Sequence, residues 1–154
     1  MLKEGDQAPA IRLRTDSGEE FKLSDLRGKR VALYFYPRAD TPGCTTEACE
    51  FRDGAKSFAK KGAVVVGVSP DTPAAQAKFK SKYGLPFTLL ADEEKAAAQA
   101  YGVWKEKNLY GKKSMGIQRS TYLIAADGRV AHVWKKVNVD GHDDAVLAAL
   151  DELD

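Results

Sequence analysis

The sequence predicts an α/β fold with a central mixed β-sheet flanked by helices, and three observations predict it. Val31 to Tyr36 and Ala63 to Val68 are unbroken apolar runs, the pattern of strands buried on both faces. Helix-patterned stretches rich in charge follow each run, as strand–helix units require. Thr121 to Ala125 and Val130 to Trp134 flank Asp127-Gly128, a hairpin signal, so an antiparallel pair should join the sheet.

The remaining elements follow in order. Ile11 to Arg14 and Glu20 to Leu23 surround Asp16-Ser17-Gly18 and predict an N-terminal β-hairpin extension. Ser24 to Gly28 reads as one helical turn with a Ser cap and a Gly stop. A helix is expected from about Cys44 to Lys61, with Cys44, Ala48, Phe51, Ala55, Phe58 and Ala59 on its buried stripe. Thr72-Pro73 opens another helix that reaches Tyr83 and closes at Gly84. Phe87 to Leu90 predicts a short strand and Glu93 to Tyr101 a short helix. Asp143 to Leu153 is the closing helix, with Val146, Leu147, Leu150 and Leu153 at helical spacing and two aspartates in its first turn. No repeat or linker divides the 154 residues, which are expected to form one domain over 1–154.

Composition narrows the chemistry. Lys plus Arg total 24 against 22 for Asp plus Glu, a net charge of +2. That balance excludes a dedicated nucleic-acid or membrane-surface binder, which needs concentrated positive charge. Two cysteines and two histidines are too few and too scattered for a structural zinc site. No apolar run suggests export or a membrane span, so the expected location is the cytoplasm. There a close cysteine pair points to redox chemistry rather than to a structural bridge.

The informative segment runs from Tyr34-Phe35-Tyr36-Pro37 through Thr41-Pro42-Gly43 to Cys44. A buried strand ends, a turn follows and a helix begins. Pro42 suits the first helical position, and it biases Thr41 towards the extended backbone of an N-cap. Cys44 then lies in the first helical turn, where unbonded amides and the positive helix end favour thiolate over thiol. It also starts the buried stripe. Cys49 follows the polar side with Arg52, Asp53 and Lys56, and is expected to be the more accessible thiol. In an intact helix five residues put the two about 7.5 Å apart along the axis and about 140° apart around it. A disulfide wants Cα atoms roughly 4.4–6.8 Å apart. If the two pair, the helix must open. The bland alternative is a small buried hydrophobe at 44 and an incidental surface residue at 49; the strand-end location and the Thr-Pro-Gly lead-in weigh against it.

At these residues the sequence resembles the peroxiredoxins, specifically the bacterioferritin comigratory protein (PrxQ) group. Pro37-x-x-x-Thr41-x-x-Cys44 is similar to the peroxiredoxin signature, and Cys49 five residues on is typical of that group. Gly5-Asp6-Gln7-Ala8-Pro9 to the final helix shares the resemblance. It implies a thioredoxin-like fold and reduction of hydrogen peroxide or organic hydroperoxides, with no metal or organic cofactor. It implies Cys44 as the peroxidatic thiol and Cys49 as its resolving partner through an intramolecular disulfide. The expected reductant is thioredoxin or a similar dithiol protein, and the expected state is a monomer. Thr41, Gly43, Cys44 and Arg119 would bind the peroxide, Pro37 would shield the thiolate, and Glu47 would orient Arg119. Taken singly, Thr41 reads equally as a simple cap, Glu47 as a partner of a surface Lys, and Arg119 as a solvated edge charge. Trp104 and Trp134 read as packing aromatics, His132 and His142 receive no role, and Lys78, Lys80 and Lys82 read as a solvated helix face.

Two other functions remain open at this level. A thioredoxin-type disulfide oxidoreductase predicts Cys-x-x-Cys, whereas four residues separate Cys44 and Cys49. A non-enzymatic redox sensor or holdase predicts a single stoichiometric oxidation instead of turnover.

Overall fold

The computed structural model describes residues 2–153. Its main sheet has seven strands: β1 (Arg12–Thr15), β2 (Glu20–Lys22), β3 (Arg30–Phe35), β4 (Ala63–Ser69), β5 (Thr88–Ala91), β8 (Ser120–Ile124) and β9 (Val130–Trp134). A separate ribbon pairs β6 (Trp104–Leu109) with β7 (Lys112–Ile117). The helices are α1 (Pro42–Asp53), α2 (Ala55–Lys60), α3 (Pro73–Tyr83), α4 (Ala96–Ala100) and α5 (His142–Asp151). Strand order is β2-β1-β5-β4-β3-β8-β9, with β3, β4 and β5 parallel and the others antiparallel to their neighbours. Among the described residues no helix is long and apolar enough to cross a membrane.

The continuous apolar runs are buried on both faces, as expected. Val31, Leu33 and Phe35 of β3 enter one core with Ala97 and Ala98 of α4 and with Tyr101 just after it. The alternate residues Ala32 and Tyr34, with Tyr36, enter the other core with α1, α2, α3 and α5. Parallel β3 and β4 sit in register from Arg30↔Ala63 to Phe35↔Val68, so both point their C-terminal ends at the same edge. Antiparallel β8 places Ser120 opposite Phe35. The residue before it, Arg119, therefore emerges where β3 gives way to α1.

Several expected elements take a different form. The N-terminal hairpin forms as expected, and its β1 pairs with β5 and extends the sheet. The turn after it is a 3-10 helix over Leu23–Leu26 preceded by Lys22, with no side-chain cap, so Ser24 lies inside the turn. The helix expected from Cys44 to Lys61 starts at Pro42 and is interrupted at Gly54, dividing into α1 and α2. Glycine favours such a break, and a Cβ there would approach the Asp143 carboxylate of α5 at 3.3 Å. The stripe loses phase as a result: Phe58 is buried, but Ala59 is exposed. The helix expected from Glu93 begins at Ala96, because Lys95 takes a left-handed backbone at φ +59°. Buried Asp92 then accepts from Ala97 N and Ala98 N at 3.1 and 2.9 Å. The strand expected at Phe87 to Leu90 is shifted by one residue, and the closing helix runs His142–Asp151.

The β6–β7 ribbon has no counterpart in the sequence-based expectation. Tyr110 and Gly111 both take positive φ, 52° and 79°, the backbone of a two-residue hairpin turn. Tyr-Gly and the flanking lysines are weaker signals than Asn-Gly between alternating apolar residues.

Candidate active site

Thr41 precedes α1 with φ −94° and ψ 157°, and Pro42 follows at the first helical position. The expected N-cap backbone is present, but its side chain does not cap. Thr41 Oγ1 instead donates to the Arg38 carbonyl at 2.8 Å. Gly43 and Cys44 fall in the first turn, where amides have no intrahelical acceptor. Cys44 is 1% exposed, seated against the sheet with Ala48 and Phe51.

Arg119 lies 75 residues away in sequence and reaches this turn. Its Nη2 donates to Cys44 Sγ at 3.2 Å, and its Nη1 donates to Glu47 Oε1 at 2.7 Å. A Cβ on Gly43 would lie 3.2 Å from that same Nη2, so the bare glycine admits the guanidinium. Cys44 and Glu47, three residues apart on one helical face, thus flank a single planar cation. Glu47 is fully buried. Its other oxygen, and the buried hydroxyl of Tyr34, have no hydrogen-bond partner among the described residues.

Burial dominates the titration of Glu47. Desolvation raises its pKa from 4.5 to about 7, and the opposing charge and hydrogen bond of Arg119 only partly offset it. In the folded state the carboxyl therefore holds its proton longer than in the unfolded chain. Its contribution to stability should fall as pH rises from 4.5 to about 7, then level off. Over the upper part of that range Glu47 gains the charge that fixes Arg119. Peroxide reduction should accordingly rise through pH about 7, and Glu47→Gln should remove that inflection and the matching fall in stability. A pH–rate profile and denaturant melts of both proteins check this; an unchanged inflection in Glu47→Gln would assign it elsewhere.

The loop before Cys44 is pinned from outside. Asp40 takes φ +60°, an unusual backbone for a residue with a side chain. Its carboxylate accepts from Lys82 Nζ at 2.9 Å and Tyr83 Oη at 2.7 Å, both at the end of α3. These hydrogen bonds hold its carboxyl below the usual range. Ala39 N donates to Asp71 Oδ2 at 2.7 Å. Below the loop, Tyr36 Oη donates to buried Gln76, whose amide donates to Ser69 Oγ and the Leu90 carbonyl. None of these partners is expected from sequence, because each pairing joins segments that nothing local relates. Lys80 and Lys82 keep much of the expected solvent exposure and also pair with Asp16 and Asp40.

Pro37 is half-buried two residues after the end of β3. Cys49 is half-buried and lies in the same unbroken helix as Cys44, with both thiols unbridged. The interruption at Gly54 falls beyond both. His142, given no role from sequence, is buried behind Arg119. Its Nε2 is 2.8 Å from Thr121 Oγ1, and Phe51 and Trp134 meet its ring edge-on. Burial, then the charge of Arg119, lowers its pKa to about 4, so it packs as a neutral ring. Trp134 packs on both histidines, and Lys95 lies over the Trp104 ring.

Residues 4–133 match the AhpC/TSA family. The chain is 51% identical over 149 residues to peroxiredoxin Bcp of Bacillus subtilis, covering 97% of this chain and 95% of that one. It is 44% identical over 151 residues to peroxiredoxin Bcp of Escherichia coli, covering 98% and 97%. Among solved structures, the bacterioferritin comigratory protein of Xanthomonas campestris matches with a TM-score of 0.89 at 42% identity, covering 92% of this chain and 90% of that one. A serine mutant of Xylella fastidiosa PrxQ matches with a TM-score of 0.93 at 34% identity, covering 99% and 97%. The matched stretch runs through the cysteine turn and on past the arginine that meets it, and the relatives align almost end to end: the chain belongs to the AhpC/TSA family and is a peroxiredoxin, an oxidoreductase with a thioredoxin-like fold.

Proposed function

We propose that the chain reduces hydrogen peroxide and organic hydroperoxides by an intramolecular two-cysteine cycle. The contact that carries this reading is Arg119 Nη2 on Cys44 Sγ at 3.2 Å, with the same guanidinium fixed by Glu47. The Cys44 thiolate attacks the terminal peroxide oxygen, the O–O bond breaks, and the alkoxide or hydroxide leaves with a proton as alcohol or water. Sulfur gives up two electrons and becomes sulfenic acid. Arg119 and the amides of Gly43 and Cys44 stabilise charge on the departing oxygen. Thr41 has committed its hydrogen to Arg38, so it serves the peroxide as an acceptor, aligning the O–H for in-line attack. Pro37 shields the thiolate from bulk water. The alkyl peroxide reduction activity ascribed to the Xanthomonas campestris relative supports the substrate class.

Cys49 then attacks the sulfenic sulfur, releasing water and forming the disulfide. Because α1 is continuous between the two cysteines, this step requires its first turns to unwind. Thioredoxin or a similar dithiol protein returns the pair to thiols. The chain would act as a cytoplasmic monomer. α3 holds no cysteine, which leaves Cys49 as the internal candidate.

Cys49→Ser tests the cycle. It should consume one equivalent of peroxide at the wild-type rate, accumulate sulfenic acid at Cys44, and turn over only with a small external thiol. In the wild type, amides from about Gly43 to Arg52 should lose hydrogen-exchange protection on oxidation. Undiminished turnover of Cys49→Ser with a thioredoxin system, or unchanged protection, would remove Cys49 from the mechanism.

A further inference from the structure

A cavity lies at the opposite end of the sheet from the cysteines. β3 runs from Arg30 towards the Cys44 turn, and its first apolar residue, Val31, pairs with Ile124 near the end of β8. There a half-open cavity of about 550 Å³ forms between the N-terminal segment, the 3-10 turn and the β8–β9 turn. This is the size of an ordinary small-molecule site. Ala8, Ile11, Leu23, Val31 and Ile124, all buried, form its floor.

Its mouth carries charge of one sign. Arg12, Lys22, Arg27 and Lys29 line it, and no carboxylate does. Arg12 and Lys22 share Glu20 at 3.0 and 3.7 Å. Arg27 and Lys29 make no ion pair among the described residues. Arg27 lies across the Gly128 backbone: a Cβ on Gly128 would lie 2.9 Å from its Nε, so the bare glycine leaves room for the guanidinium. Gln7 Nε2 donates to the Gly128 carbonyl at 3.2 Å and frames the same edge. An apolar floor under two unpaired cations calls for a ligand with one anionic head and one hydrocarbon tail.

We propose that this cavity binds a free, single-chain aliphatic carboxylate, its head at Arg27 and Lys29 and its tail over Ile11, Leu23 and Val31. The head gains charge-assisted hydrogen bonds, which a planar guanidinium supplies in pairs. The tail gains burial in proportion to its length. The site is independent of the peroxidase cycle and stands or falls apart from it.

Calorimetric titration of the full chain with octanoate and decanoate, both below their micelle concentrations, tests the proposal. Affinity should rise about fourfold for each added methylene, and decylammonium should not bind. Arg27→Glu should weaken decanoate at least tenfold. Ala10→Phe, which places a ring at the exposed edge of the cavity, should block it. Both variants should keep wild-type peroxide turnover, which certifies that they fold. Decanoate binding unaffected by either variant, or equal binding of decylammonium, overturns the proposal. So does failure to bind together with self-association or attachment to phosphatidylglycerol vesicles, which would give this face to a second copy or to a membrane.

Discussion

Cys44→Ser is expected to leave no peroxide turnover above the uncatalysed background, whichever reductant is supplied. In the proposed cycle the Cys44 sulfur surrenders two electrons to the O–O bond, and a serine oxygen has no comparable oxidised state to reach. Nor does a hydroxyl ionise near neutrality, so the nucleophile is lost along with the electron donor. The fold should survive the change. Cys44 is buried, and Arg119 Nη2, 3.2 Å from its sulfur, offers a donor to the new hydroxyl. The cost in stability should stay near 1 kcal/mol, the scale of one satisfied hydrogen bond. Stopped-flow peroxide consumption alongside a denaturant melt separates the two effects. Measurable catalysis by Cys44→Ser would shift the chemistry to Cys49 and overturn the assignment of roles.

Arg119→Met should slow peroxide reduction by about two to three orders of magnitude, the usual consequence of deleting one donor to a developing oxyanion. Thiolate formation alone cannot account for so much. A thiol of ordinary pKa is already about 3% ionised at pH 7, so complete ionisation gains at most about 30-fold. The remainder has to come from contacts made to the peroxide. Methionine keeps much of the buried volume but donates no hydrogen bond. It also leaves Glu47 Oε1 without the partner it holds at 2.7 Å, and the buried carboxyl, freed from the opposing charge, should move further towards its neutral form. The rate constant is to be compared with the thiolate fraction read from ultraviolet absorbance against pH. A rate loss no larger than the change in thiolate fraction would confine Arg119 to tuning the thiol.

How much of this site is legible in sequence depends on how local each contact is. Strands β3 and β4 announce themselves because burial on both faces leaves no polar position in the run. Thr41, Pro42 and Cys44 are neighbours, and their types dictate a strand end, a helix start and a thiol in its first turn. Arg119 is different. It reaches Cys44 only because β8 pairs antiparallel with β3 in one register, which no short-range pattern records; family resemblance, rather than residue chemistry, points to it. Glu47 is likewise indicated by the resemblance, since a helical Glu read alone pairs with a surface Lys, and its complete burial is a property of the packed sheet. The clamp of Lys82 and Tyr83 on Asp40 is illegible for the same reason. A lysine on a charged helix face looks solvated until the loop opposite is known. Thr41 is a finer case: its backbone follows from Pro42, yet its hydroxyl turns to Arg38 and leaves the cap unfilled.

The interruption at Gly54 bears on how quickly the enzyme could be reset. Starting a helix from coil is slow and unfavourable, because several residues must be fixed before the first hydrogen bond is gained; extending an existing turn is easy. α2 sits just past the break, with Phe58 only 1% exposed beneath the sheet. Backbone hydrogen bonds still cross the glycine, from Gly54 N to the Glu50 carbonyl and from Phe58 N to the Gly54 carbonyl, at 3.0 and 3.1 Å. In the proposed cycle, once a Cys44–Cys49 disulfide is reduced, the unwound turns would not need to nucleate afresh. With α2 anchored by Phe58, they would grow back from that seed one residue at a time, until Cys44 is again beside Arg119.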